Sequence, residues 1–355
     1  MRTPALFVCL ITAMLFSGFI RSSNSQTGAE STGLRPAGQK TDQLRLNVDL
    51  VVLDAQALQK KTARIVGGLT KNDFLLFEDG VRQQIAQFGR DTLPLSVVLL
   101  VDRGGCLDPF GDKVREATIE ALRRLKPDDE VALMAFADDV QLLRGFRLDK
   151  QAVADALNRM PPHDEDARHC FNRAFYEAAA LMRKAANPDG RRVIIVITGI
   201  THDIACSNPS AEETRNQVLE SGAVVCGLIP STSGQRIENG VMSSVAAVAG
   251  IFKAPTSSLS QFADETGGEI FSARPAELDR AFGTLVDHLR SRYTIGFVST
   301  NAKRDGSYRK LKLEVTSDIQ RREGQVVVKT RRGYLAPNTT DKGVRPNLTG
   351  FEKPN

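Results

Sequence analysis

Beyond residue 20 the 355-residue sequence has no apolar run long enough to cross a membrane, so no internal span is expected. It also lacks the local signatures of common catalysts: there is no G-x-S-x-G, no H-E-x-x-H, no P-loop and no G-x-G-x-x-G. Its five cysteines and four histidines never fall at the close Cys-x₂-Cys or His-x₃-His spacing of a strong zinc motif. These absences argue against a nucleotide-binding enzyme, a zincin and a serine hydrolase. What remains is ordinary soluble composition, 41% hydrophobic and 25% charged, with ample chain to bury a core without staples.

Residues 1–25 read as a secretory signal. Arg2 supplies a positive start, Ala5 to Ile20 is almost uninterrupted apolar, and "SNS" before Gln26 offers small residues for cleavage. The apolar run is shorter than the roughly 20 residues of a spanning helix, which favours cleavage over a retained anchor. After cleavage the chain is not expected to be transmembrane. Export implies a secreted, periplasmic or cell-envelope location and an oxidising compartment. Cys106, Cys170, Cys206 and Cys226 then become disulfide candidates, with several pairings open. Formal charge is +5, and it is uneven: from Asn301 onward 13 Lys and Arg face 6 Asp and Glu. A solvated strand face and tail explain this basic end, and export makes nucleic acid a poor partner.

Residues 26–43 read as a flexible leader. Residues 44–90 form an N-terminal β unit, with Asp79-Gly80 between the apolar runs of "FLLFEDGVRQQIAQF" as a hairpin turn. From residue 91 to 291 strands and helices alternate, beginning with the continuous apolar run "LPLSVVLLV". That rhythm predicts a doubly wound, mostly parallel α/β sheet with helices on both faces. Residues 292–335 return to β, as "RYTIGFVST", "YRKLKLEVTS" and "QVVVKTRRGYL". They either extend the first β unit, as a small sandwich, or form a second one. Residues 336–355 read as a disordered tail.

In such a sheet ligands bind beyond the C-terminal strand ends, where strand order reverses. The loops after Val101, before helix 171–187 and after Thr198 should meet there. The order of elements, with "VVLLVD", "DEVALMAFADDVQLL" and "RRVIIVIT", resembles a von Willebrand factor A domain. The flanking "GLTKNDFLLFEDGVRQQIAQF", "FADETGGEIF", "LRSRYTIGF" and "RRGYLAP" resemble the bacterial VWFA-related family described from acidobacteria. The resemblance covers about 44–337.

It implies a metal-ion-dependent adhesion site: D-x-S-x-S after the first strand, a Thr from the second loop and an Asp after the fourth strand, all hard oxygen ligands for Mg²⁺. Carried over, the first Asp falls on Asp102 and matches. The two Ser positions fall on Gly104, which has no side-chain ligand, and Cys106, whose thiol is soft. The Thr position falls near His169 and the last Asp on Gly199. One ligand position of five survives, so no cofactor is expected and Mg²⁺ binding is expected to be lost. A site rebuilt from Asp102 with Asp108, Asp164, Glu165, Asp166 or Asp203 reads more simply as solvated acidic loops.

Cys106, Cys170 and Cys206, with His163, His169 and His202, fall in these same loops. A Cys/His zinc module is one alternative; a disulfide, Cys106–Cys170 or Cys170–Cys206, is preferred in an exported chain. Cys226, inside an apolar strand, is a buried thiol. A Cys106 hydrolase using His169 is a further alternative. The leading expectation is an exported, non-enzymatic binding module that offers its loop rim to a protein or glycan without Mg²⁺ dependence.

Overall fold

The computed structural model describes residues 50–90, 93–107, 111–161, 167–187, 190–200, 206, 208–231 and 258–338. The residues read from sequence as a signal and a leader, and most of those read as a tail, lie outside them.

The chain begins in antiparallel β structure: β1 (Leu50–Gln59), β2 (Phe74–Glu78), β3 (Val81–Gln83) and β4 (Ile85–Gly89). Asp79 and Gly80 join β2 to β3 with φ of 47° and 84°. Both lie in the left-handed region that a two-residue hairpin of matching twist requires, which is why Asp-Gly serves there.

The alternating region follows: β5 (Leu95–Asp102), α1 (Gly111–Leu122), β6 (Glu130–Phe136), β7 (Val140–Arg147), α2 (Lys150–Asn158), α3 (Phe171–Met182), β8 (Arg191–Ile197), α4 (Ala211–Ser221), β9 (Val224–Pro230), α5 (Leu259–Thr266), β10 (Ile270–Ala273) and α6 (Leu278–Arg290). The six strands are ordered β10-β9-β8-β5-β6-β7, parallel except for β7, which pairs antiparallel with β6. A hydrophobic core lies on each face. Leu95, Val97, Leu99 and Val101 of β5 join one with α1, α2 and α6; Val98 and Leu100 join the other with α3, α4 and α5. A strand covered on both sides must be apolar at every position, and this is the cause of the continuous run.

The last elements are β11 (Tyr293–Val298), β12 (Tyr308–Val315), α7 (Ser317–Glu323), β13 (Val326–Lys329) and β14 (Gly333–Leu335). They do not form a unit of their own. One sheet runs β13-β1-β11-β4 and the other β14-β12-β2-β3, so N- and C-terminal strands interleave in both. Leu53, Ala55, Phe74, Leu76, Ile295, Phe297, Leu311 and Leu313 from the two sheets share one core, which makes the pair a small sandwich. Two details differ from the sequence reading. "QVVVKTRRGYL" is two strands, each in a different sheet, and residues 317–323 add a short helix after β12.

The sandwich and the α/β sheet are tied by buried charge. Arg191, at the start of β8, places Nε 3.0 Å from Asp54 Oδ1 of β1 and donates to the carbonyls of Leu289 and Arg292. Among the described residues no helix is long and apolar enough to cross a membrane.

Candidate functional site

Strand order reverses between β5 and β8, and three segments meet at their C-terminal ends. The buried carboxylate of Asp102 closes β5. Cys106 lies in the short 3₁₀ turn Gly105–Leu107 that follows, His169 in the stretch leading into α3, and Thr198 directly after β8.

The four side chains form one hydrogen-bonded cluster. Thr198 Oγ1 donates to Asp102 Oδ2 at 2.6 Å, and Cys106 Sγ donates to the same oxygen at 3.2 Å. The Gly104 amide donates to Oδ1 at 2.9 Å. His169 Nδ1 lies 2.9 Å from both carboxylate oxygens. The Gly199 amide points at Cys106 Sγ from 3.3 Å. An ionised carboxylate accepts about four hydrogen bonds, so the protein itself saturates Asp102.

The glycines belong to the same design. A Cβ on Gly104 would lie 2.6 Å from Cε1 and 2.8 Å from Nδ1 of His169. A Cβ on Gly199 would lie 2.2 Å from the Cys106 carbonyl oxygen. The imidazole thus fills the volume a side chain at position 104 would need, and the Cys106 backbone fills that at 199. The imidazole at 104 and the Cys106 backbone at 199 leave room for glycine alone.

Electrostatics follow the geometry. Burial, and then the neighbouring Asp102 charge, push the Cys106 thiol up to about 12. The hydrogen bond to Asp102 raises His169 above its ordinary 6.5 despite partial burial. Cys226 is fully buried and its thiol is pushed up to about 11, chiefly by burial.

Cys170, next to His169, is bonded to Cys206, with Cα atoms 5.3 Å apart. Of the two pairings expected, Cys170–Cys206 is the one formed; Cys106 keeps a free thiol because it turns inward to Asp102. The bridge ties the segment before α3 to the one before α4. Asn172, the second residue of α3, strengthens that tie by donating to the carbonyls of Cys206 and Pro209.

All five positions carried over from the family pattern, Asp102, Gly104, Cys106, His169 and Gly199, therefore sit within this one cluster. Thr198 was not singled out from sequence. Its signal is a hydroxyl residue ending an apolar strand, where "VIIVIT" gives way to Gly199. Asp108, His163, Asp164, Glu165, Asp166, His202 and Asp203 lie outside the described residues.

Residues 97–201, which carry Asp102, Cys106, His169 and Thr198, match the family model of the von Willebrand factor type A domain. Among solved structures, the chain is similar to a von Willebrand factor type A protein from Catenulispora acidiphila, at 11% identity and TM-score 0.43, covering 84% of this chain and 76% of that one. It is also similar to the vWF domain of the type V pili tip protein Mfa5 from Porphyromonas gingivalis, at 10% identity and TM-score 0.39, covering 56% and 95%. Proximal thread matrix protein 1 from the mussel byssus is similar at 10% identity and TM-score 0.40 over 55% of this chain; the chain spans 48% of that protein. No curated protein matches the chain.

Proposed function

We propose that the chain is an exported, non-enzymatic interaction module of von Willebrand A type, which offers the rim beyond β5 and β8 to a protein or glycan without Mg²⁺. The observation that carries the reading is the saturated Asp102 carboxylate. Mg²⁺ demands six oxygen ligands in near-ideal octahedral geometry. At this rim it would have to displace four protein donors, and it would find only one carboxylate and the Thr198 hydroxyl, beside a thiol and an imidazole. The residues present do not fit that ion.

The same geometry speaks against a Cys106 hydrolase. A nucleophilic cysteine needs a depressed pKa, and this thiol is pushed up to about 12 with its proton directed at Asp102. The His169 nitrogen that approaches the cluster faces the carboxylate and is not poised as a base for the sulfur. The Cys170–Cys206 bridge supports export, since such bonds persist in oxidising compartments.

The test is the thermal response of the chain, without its signal, to millimolar Mg²⁺. No rise in unfolding temperature is expected. A clear rise, abolished in Asp102→Ala, overturns the reading.

A further inference from the structure

The donors that crowd Asp102 are of two kinds. The Gly104 amide and the Thr198 hydroxyl keep their protons throughout the ordinary pH range. The Cys106 thiol and the His169 Nδ1 instead become metal ligands once their protons leave. One ligand atom each from Asp102, Cys106 and His169 lies within 4.8 Å of the others, with Nδ1 at 2.9 Å and Sγ at 3.2 Å from the carboxylate. Zinc bonds of about 2.0–2.3 Å in a tetrahedron separate ligand atoms by roughly 3.3–3.8 Å, so small side-chain movements suffice. The three come from two segments, and the disulfide fixes the second.

Burial and Asp102 hold the thiol protonated in the absence of a cation, but two contacts are of the kind that support a sulfur bound to one. The Gly199 amide is aimed at the sulfur from 3.3 Å, and Thr198 and Gly104 hold the two carboxylate oxygens. Donors of this sort orient first ligands and neutralise part of their charge in metal sites. Cys106 is half-buried, which leaves a way in.

We propose that Asp102, Cys106 and His169 form a three-ligand site for a zinc-type cation, with a fourth position left to water. The groups that turn Mg²⁺ away are then the ones that take the softer ion. Binding breaks the Cys106 S–H bond and forms the metal–sulfur bond, and the proton passes to bulk buffer. A neutral His169 ring exchanges its Nδ1 proton for one on Nε2 through solvent, so one proton is released in all; an imidazolium loses one more, giving two. The proposal rests on the reading of this rim as the binding face, but it stands or falls separately from the Mg²⁺ result.

The experiment uses the disulfide-intact chain without its signal, stripped with chelator and titrated with Co²⁺. One Co²⁺ per chain is expected, with a sulfur-to-cobalt charge-transfer band that one equivalent of Zn²⁺ removes. Affinity should fall at least tenfold in Cys106→Ser and in His169→Gln, and stay unchanged in Cys226→Ser, which removes the other free thiol. Circular dichroism and disulfide mapping confirm that each variant is folded. Should Cys106→Ser fail to fold, His169→Gln and Cys226→Ser decide. Absence of the band in the wild type, an affinity unchanged in His169→Gln, or a band that disappears in Cys226→Ser, overturns the site. A Mg²⁺-driven thermal shift would instead sink the Mg²⁺-free reading and leave the cobalt result to be judged alone.

Discussion

Two buried groupings in this molecule have the same ingredients. At the rim, His169 Nδ1 stands 2.9 Å from Asp102 and Cys106 lies beside them; near the sandwich, His288 Nδ1 stands 2.9 Å from Glu269, with Cys226 close by. Their neighbours make them different. Asp102 is met by an amide, a hydroxyl, a thiol and an imidazole, whereas Glu269 also faces the buried Arg292 and the half-buried Lys329. Arg292 is 1% exposed, donates from Nη2 to the Gly267 carbonyl, and has no hydrogen-bond partner for Nε and Nη1 among the described residues. Glu269 therefore balances charge that the fold has buried. Asp102 organises loops at a surface that can exchange its protons. A histidine beside a carboxylate and a thiol does not define a role; the charge around it does.

The sharpest way to break this comparison is to remove each carboxylate. Glu269→Ala removes the carboxylate that Arg292 and Lys329 share, leaving Asp54 and Asp264 as their remaining counter-charges, and should cost about 4 kcal/mol of unfolding free energy in a denaturant titration. Asp102→Ala, which strands hydrogen-bond donors and no permanent cation, should cost less, about 3 kcal/mol by the same measurement. If Asp102→Ala proved the more damaging, the contrast between the two groupings would be wrong.

A smaller effect concerns the glycines. Gly104→Ser returns the hydroxyl that the family pattern has there, yet it should destabilise by about 2 kcal/mol, because its Cβ meets the His169 ring. In a His169→Ala background most of that cost should vanish, a coupling that a double-mutant cycle reads directly. Additive costs would mean that the ring is not what excludes the side chain.

The smallest effect is the response to pH, and its sign differs between the two groupings. His169 is raised above its ordinary 6.5, so its pair contributes fully below pH 6.5 and loses that contribution as pH rises through the folded value. For Glu269, burial pushes upward, but the His288 hydrogen bond and the Lys329 and Arg292 charges outweigh it and hold the carboxyl below its ordinary 4.5. Its contribution is present above pH 4.5 and is lost as pH falls through the folded value. Denaturation midpoints plotted against pH for wild type, His169→Gln and Glu269→Gln should show opposite difference slopes. Parallel slopes would erase the distinction.

The legible parts of the fold were those with a local cause. The all-apolar β5 announced a strand covered on both faces, and Asp79-Gly80 announced its hairpin. The antiparallel edge strand β7 and the helix α7 were not separated out: β7 is part-buried along most of its length and shows no clean alternation, and α7, at seven residues, is too short to show a period. At the site, the type of residue at each of five positions was readable, but the contacts were not. Asp102 and Thr198 are 96 residues apart and Asp102 and His169 are 67 apart, so no local pattern joins them. Thr198 was overlooked because a threonine ending a strand is unremarkable until its hydroxyl is seen to meet a carboxylate.

The sequence alone determined the α/β alternation, the β flanks, the absence of hydroxyl side chains at 104 and 106 and of a carboxylate at 199, since these depend on residue type and short-range period. Only the tertiary structure decided that the two flanks interleave into one sandwich, that Cys170 bonds Cys206 while Cys106 turns to Asp102, and that His169 fills the space a side chain at 104 would need. Strand pairing, disulfide partners and steric exclusion are set by distances between residues far apart in the chain, and those distances exist only once both cores have closed.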